Sequence, residues 1–338
     1  MWIFGTKTFQ RGSCVIDNCT QYSCAAFAAK NAISKANMAA QQQLARISIL
    51  GVGKMGAASA RRLAGLGYDV RVWNRSADKA EALAQTMPSI TVAETARDAV
   101  ETADLCIALL STTDAVKAVV EDCRGLAFDA VLANLASGSP DDGRAVAAIV
   151  KEALPNAFFV DGAYCGPPSA LEQGTGQLFV SYENGENALD ARAGAALRAL
   201  GVTTFCEGVG AARALDYAVV DMAFVTLMSY ASNAAMLEEE GVSTEVAIKA
   251  ISRRLAAAPA ALEAAAARMA DRSDGAYESN PTATLATWRN FFDSRRPYLE
   301  RIGASSVLPD FCISILDRAG ANDMDVTRVQ EVLRYNDG

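Results

Sequence analysis

Histidine is absent from all 338 residues. That removes the commonest general acid or base of protein catalysis, and with it every zinc site built on imidazole. Nor does any CxxC pair occur among the eight cysteines, Cys14, Cys19, Cys24, Cys106, Cys123, Cys165, Cys206 and Cys312. Most of the later ones sit inside apolar runs, so the set reads as reduced, buried thiols. Lysine is scarce in the second half of the chain, where Lys249 is the only one beyond residue 151. No stretch approaches the ~18 uninterrupted apolar residues of a membrane helix, since the nearest, Tyr217 to Met228, is broken by Asp221. Positive charge is short as well: 31 Lys and Arg stand against 39 Asp and Glu, a formal net charge of −8. A chain of that balance has no general affinity for nucleic acid or anionic lipid, so any anion site must be local.

Hydrophobic residues make up 51% of the chain, enough for a sizeable core. The length suits about two domains of ~100–200 residues each. Residues 1–44 differ from the rest. They carry Lys7, Arg11, Lys30 and Lys35 against the single acid Asp17, and are rich in Ser, Thr, Ala, Asn and Gln. Such an acid-poor, hydroxyl-rich, basic stretch matches an organelle transit peptide. The alternatives are a disordered tail or an extension upstream of a start at Met38. The expected location is cytoplasmic, or organellar if this stretch is a targeting peptide, and not secreted.

From Arg46 a regular pattern begins. Ile47 to Leu50 is a β-prone run leading directly into Gly51-Val52-Gly53-Lys54-Met55-Gly56, and Ala57 to Leu66 reads as a helix. In this context GxGxxG is a dinucleotide fingerprint. Gly51 permits the tight turn, Gly53 lets the backbone approach a pyrophosphate, Gly56 lets helix pack on strand, and the helix N-terminus offers unpaired N–H donors. Tyr68 to Trp73 supplies a second strand. At its end an NAD-binding unit places Asp or Glu to accept hydrogen bonds from the ribose 2′-hydroxyl. This chain has Asn74-Arg75-Ser76 there, with Lys79 one turn later. An acid would repel a 2′-phosphate, whereas a guanidinium and a hydroxyl bind it through charge-assisted hydrogen bonds, so NADPH is expected over NADH. The cofactor-binding set is completed by Leu109, Leu110 and Ser111, at the end of a later strand.

Leu105 to Leu110, Ala130 to Asn134 and Phe158 to Val160 read as further strands, separated by helices such as Ala115 to Glu121 and Asp141 to Glu152. That alternation implies a doubly wound, mostly parallel Rossmann sheet. Gln177 to Ser181 and Val202 to Cys206 add two strands, after which strands cease. Ala211 to Glu240 has no breaker and would form a helix of ~45 Å, apolar on nearly every face. Ala-rich helix follows, including Ile251 to Ala270, with Pro259 starting a new helix. The expected organisation is an extension over 1–44, an α/β Rossmann domain over 45–207 and an all-α domain over 208–338, joined by a long interdomain helix.

At this point the chain resembles the β-hydroxyacid dehydrogenase superfamily, whose NADP-binding domain is of the 6-phosphogluconate dehydrogenase type, and most closely its imine reductase branch. Four stretches carry the resemblance: GVGKMGAASA with VWNRS; Asn134 to Pro140, similar to NLTSGTP of imine reductases; Val160 to Pro168, similar to DGAIMAVP of that branch; and Leu308-Pro309, Arg318-Ala319-Gly320 and Glu331 to Arg334. The resemblance implies an intertwined homodimer, with a small-molecule substrate bound in a cleft between domains. Hydroxyacid dehydrogenases of this kind carry a lysine in a GxGxxxK segment. Here the segment is Gly208 to Ala214, and the lysine position reads Ala214. Arg213, beside it, points about 100 degrees around the helix and is too weak an acid to exchange protons near neutrality.

Imine reductases often place Asp or Tyr a little further along this helix, where Asp216 and Tyr217 stand. A carboxylate near an iminium carbon would stabilise the cation. Asp216 could instead pair with Arg213 on a solvated face, and Tyr217 could be a core aromatic. Ser137, on a loop at the carboxyl edge of the sheet, could bond substrate or nicotinamide, or serve as a turn residue. The leading expectation is NADPH-dependent reduction of a C=N bond, with Asp216, Tyr217 and Ser137 as catalytic candidates and no metal. The alternatives are a 3-hydroxyacid dehydrogenase or carbonyl reductase, in which Tyr217 replaces the lysine, and a non-catalytic NADPH-binding module.

Overall fold

A computed structural model describes residues 46–182, 191–260, 262–263, 266 and 284–318. The N-terminal extension, Cys14, Cys19 and Cys24, and the Gly320 and Glu331 segments lie outside them. The described residues up to Val220 form one compact unit, and those from Asp221 a second.

The first unit is an eight-stranded sheet in the order β3-β2-β1-β4-β5-β6-β7-β8. Its elements follow one another as β1 (Arg46–Leu50), α1 (Lys54–Gly65), β2 (Asp69–Trp73), α2 (Ala77–Thr86), β3 (Ile90–Val92), α3 (Ala96–Glu101) and β4 (Leu105–Ala108). Then come α4 (Thr113–Asp122), β5 (Val131–Asn134), α5 (Pro140–Ala153), β6 (Phe158–Cys165), α6 (Pro168–Gln173), β7 (Gln177–Tyr182), α7 (Ala191–Leu200) and β8 (Val202–Glu207). All neighbouring pairs are parallel except β6 and β7. The doubly wound, mostly parallel sheet read from the sequence is therefore present.

A strand turns alternate side chains to opposite faces, and here each face meets helices. Ile47, Ile49, Leu105 and Ile107 pack with Leu63 of α1 and Leu197 of α7 on one side. Leu50, Cys106, Ala108 and Leu132 pack with Val116 and Val120 of α4 and Val146 of α5 on the other. Cys106 and Cys123 are buried in this second cluster, and burial pushes both thiols up, Cys123 to about 11. Cys165, Cys206 and Cys312 are free but only part-buried, so the expectation of buried thiols holds for two of the five described cysteines.

Strand limits depart from the sequence reading by more than one residue at three places, each for a tertiary reason. β3 is a three-residue strand that pairs with β2 and has too short a pattern to be seen alone. β4 stops at Ala108 because Leu109 turns over the glycine loop, its carbonyl oxygen 2.5 Å from where a Cβ on Gly51 would sit. β6 runs on to Cys165 instead of ending at Val160. Gly162 reads locally as a break, yet here it lets the β7 backbone close in, since a Cβ would meet the Phe179 carbonyl oxygen at 2.7 Å.

The helix α8 is continuous from Ala211 to Glu239. It passes the length and composition of a membrane span, which the sequence reading had set aside on account of Asp221. In the second unit α9 (Thr244–Ala256) ends before a turn at Ala257, and Pro259 lies in the first turn of the next helical stretch. The unit continues with α10 (Leu285–Asp293), α11 (Arg296–Arg301) and α12 (Val307–Arg318). Within it, an aromatic group of Trp288, Phe291 and Phe292 packs edge-to-face and stacked.

Candidate active site

The glycine loop between β1 and α1 has the backbone that its sequence requires. Gly51 adopts φ +102°, a conformation that disfavours any residue with a Cβ. Gly56 packs so tightly that a Cβ would lie 1.8 Å from the Gly51 carbonyl oxygen. Gly53 is different: it is exposed, and a Cβ there would meet nothing within 4 Å. The open space lies where a ligand's phosphates would approach the backbone. Gly53 is also the N-cap of α1, with no side-chain cap and no acid in the first turn, so the helix N–H groups and dipole face outward unneutralised. This fits a dinucleotide pyrophosphate.

A cavity of about 560 Å³ opens above this loop. Gly51, Gly53, Lys54, Met55 and Gly56 form its floor, Asn74, Arg75, Ser76 and Lys79 one wall, and Leu109, Leu110 and Ser111 line it beyond β4. Val52 does not line it. Its side chain packs in the core, and its N–H donates to the Asn74 Oδ1 at 2.9 Å. The Asn74 amide in turn donates to the Ser76 carbonyl oxygen at 2.9 Å. Asn74 is thus the strut joining the glycine loop to the basic wall. Arg75, Ser76 and Lys79 are exposed at the mouth, and Ser76, the N-cap of α2, makes no capping bond with its hydroxyl.

The cavity also has a wall that the sequence reading missed. Ala115, Ala118, Val119 and Asp122 of α4, with Trp73 and Ala96, complete it. Their spacing of three, four and seven residues along one helix was the available signal, because such positions share a face.

A second group gathers where β5, β6 and the start of α8 meet. Arg213 is 1% exposed and Asp161, on β6, is 0% exposed. The Arg213 Nε lies 2.9 Å from both carboxylate oxygens and Nη2 is 2.8 Å from Oδ1. Nη1 donates to the Ala136 carbonyl oxygen at 2.8 Å. Burial pushes the Asp161 carboxyl up, and the guanidinium opposes it. Two glycines leave room for this pair: a Cβ on Gly143 would sit 2.3 Å from Asp161 Oδ2, and one on Gly138 would sit 3.0 Å from Arg213 Nη1. Arg213 therefore does not pair with Asp216 on a solvated face. Its partner is 52 residues away, at the core of the unit.

Asp216 is left part-buried, with Oδ1 shielded from solvent and without a hydrogen-bond partner. Burial pushes its carboxyl above the usual range, against the pull of Arg213. The thiol of Cys165, at the end of β6, is raised by burial and by the charge of Asp216. Tyr217 is 48% exposed and is no core aromatic. Ser137 is exposed on the loop after β5, next to the carbonyl that Arg213 holds. Among the described residues no cluster of ligands could hold a metal ion.

The open space at Gly53 separates function from folding. Gly53→Asp should leave the melting temperature within a degree or two of the parent, because the new Cβ meets nothing. Its carboxylate would stand in the anion's place and weaken dinucleotide binding by more than tenfold. Thermal melts and quenching of tryptophan fluorescence, with Trp73 in the cavity wall, would read both quantities, and unchanged affinity would count against this loop as the pyrophosphate cradle.

Residues 46–208 match the family model described as the NAD-binding domain of 6-phosphogluconate dehydrogenase. An uncharacterised oxidoreductase of Bacillus subtilis is 31% identical over 129 residues, which are 37% of this chain and 44% of that protein's length. Among solved structures, the imine reductase from Myxococcus stipitatus in complex with NADP+ is 25% identical, with a TM-score of 0.69 over 85% of this chain and 99% of that one. The imine reductase of Streptomyces aurantiacus is 23% identical, with a TM-score of 0.76 over 86% and 100%. A reductive aminase from Aspergillus terreus, in complex with NADPH4, cyclohexanone and allyl amine, is 22% identical, with a TM-score of 0.71 over 86% and 100%. Residues 46–208 are thus similar to the NAD-binding domain of 6-phosphogluconate dehydrogenase, within a chain that shares the fold of the imine reductases.

Proposed function

We propose that this protein is an NADPH-dependent oxidoreductase that reduces C=N bonds. The observation that carries the reading is the buried, unpartnered oxygen of Asp216, beside an arginine whose charge is already committed to Asp161. A carboxylate withdrawn from water without a partner is costly unless a cation arrives to share its charge. A protonated imine is such a cation. No lysine stands at position 214 to bind a hydroxyacid's oxygen or exchange its proton, so a carbonyl substrate would meet an ionised carboxylate, which only accepts, where it needs a donor.

When bound, NADPH supplies the hydride. Gly53 and the free N–H groups of α1 would hold its pyrophosphate, and Arg75, Ser76 and Lys79 its 2′-phosphate, with no acid at the end of β2 to repel it. Asp216 would hold the iminium and favour its protonated form, so that the attacked carbon stays electron-poor. Tyr217 and Ser137, both exposed, would contact substrate from the adjoining helix position and the loop after β5. The complexes of the Myxococcus protein with NADP+ and of the Aspergillus protein with NADPH4 and an amine support the same pairing of cofactor and substrate class.

We also propose that a second copy of the chain covers α8. Val220, Met222, Phe224, Val225, Leu227 and Met228 are each 41–60% exposed. Asp221 on the same helix would be desolvated at a cost in lipid, while a protein partner can hydrogen-bond it. The family resemblance implies a homodimer, and light scattering behind size exclusion should give twice the mass of one chain without detergent. A monomer, or a chain that is dispersed only by detergent, would refute it.

Two further outcomes are expected. Arg75→Ala should weaken NADPH binding by at least tenfold and NADH binding by less than twofold; equal losses would exclude Arg75 from the 2′-phosphate site. Asp216→Asn should abolish turnover of cyclic imines, followed at 340 nm, without lowering the melting temperature at pH 8. The sign follows from its raised pKa: a carboxyl titrating above its unfolded value disfavours the folded state once ionised, so the neutral amide relieves that cost. Parent activity should fall as pH drops through the raised pKa. Parent turnover confined to keto acids or aldehydes would favour the dehydrogenase reading, and tight NADPH binding without any turnover the binding module.

A further inference from the structure

The carboxylate that defines the proposed site stands one helical turn from a charge pair that touches no solvent. Arg213 is more than a counter-ion to Asp161. Its guanidinium also reaches the Ala136 carbonyl, so a single side chain on α8 binds both the middle of β6 and the loop after β5. The same junction is tied at other points. Asn134, the last residue of β5, bonds the Ala136 N–H through Oδ1 at 3.2 Å and reaches Asp161 through its amide. Ser181 of β7 accepts from the Ala212 N–H at 3.3 Å. Ser139 and Asp142 close a reciprocal capping box at the start of α5, which fixes the loop's far end.

We infer that Asp161 and Arg213 are positioning residues, whose buried ion pair clamps the Ala136–Ser139 loop and the first turn of α8 to the middle of β6, beside the end of β5. The pair thereby holds Ser137 and Asp216, 79 residues apart, in one geometry. Ser137 follows the carbonyl that Nη1 grips, and Asp216 lies three residues beyond Arg213, on the next turn of the same helix. A side chain at 213 with a single donor could hold Asp161 or Ala136 but not both in the planar arrangement a guanidinium provides. The pair also sets the field at Asp216. The charged and titratable groups that face this carboxyl are Arg213 from α8 and Cys165 from β6. Of these only Arg213 favours the ionised form.

This inference rests on the proposed role of Asp216, and its test is chosen so that the two can fail separately. The full chain carrying both Asp161→Leu and Arg213→Met removes the pair without stranding either charge, a replacement that buried ion pairs often tolerate. Its melting temperature, NADPH affinity, imine turnover and the carboxyl titration of Asp216, followed by carbon-13 NMR, are compared with the parent. The expected result is a folded protein with NADPH affinity within twofold, kcat reduced at least tenfold, and Asp216 titrating at higher pH. A folded double variant with kcat within twofold of the parent would show that the pair serves stability alone. If the double variant does not fold, Arg213→Lys decides: it keeps the charge and loses the fork, so lost kcat at unchanged NADPH affinity supports the inference, and retained kcat overturns it. If the parent reduces no imine, the reading of Asp216 fails, and amide hydrogen exchange over Ala136–Ser139 and the first turn of α8 still decides on the clamp: faster exchange in the folded double variant supports it, and unchanged exchange refutes it.

Discussion

A parallel strand cannot reach its neighbour through a tight turn, so each of the first five strands leaves the sheet at its carboxyl end and returns by a helix. At β1 the order reverses: β2 lies on one side and β4 on the other. The loops after β1 and β4 therefore part company above the sheet, and the space between them is the cavity lined by the glycine loop, Leu109 to Ser111 and α4. The constraint that orders the strands also opens the binding site, and the glycines are what let its floor come close to a ligand.

The same edge of the sheet concentrates charge. Helix N-termini and exposed bases gather over β1 and β2, and a carboxylate with a shielded oxygen stands near the end of β6. Between them runs a strict division of labour. Arg75 and Lys79 are exposed, where they can meet an anion, while Arg213 is wholly withdrawn into a pair with Asp161. Removing one partner of such a buried pair typically costs ~3–5 kcal/mol, because the other charge is left without compensation. Arg213 is thereby spent on holding backbone together, and Asp216 is the acid left free to meet a cation.

Much of this was legible in the chain as written. The alternation of β-prone runs and helical stretches, the glycine spacing and the Asn74-Arg75-Ser76 segment are local signals, and the structure places Gly51, Gly53 to Gly56, Asn74 to Ser76, Lys79 and Leu109 to Ser111 around one cavity. Asn74 combines a local signal with a role that only the fold reveals. Its position at the end of β2 marks it for the cofactor, yet its side chain is occupied in bridging Val52 and Ser76. The wall from α4 was visible only as an unremarked helical spacing. The length of β6 was hidden by Gly162, which breaks a strand by local rules and here permits one.

What the sequence determined by itself is whatever depends on neighbours along the chain: the order of strands and helices, the turn that needs Gly51, the absence of an acid after β2, and the absence of histidine and of a lysine at position 214. Tertiary structure alone decided which charges are neutralised. Arg213 and Asp216 are three residues apart and would pair on an isolated helix, but the folded chain brings Asp161 to Arg213 from 52 residues away. A buried guanidinium binds most strongly where two carboxylate oxygens and a carbonyl converge and water is excluded, and only the packed junction of β5, β6 and the start of α8 supplies that place.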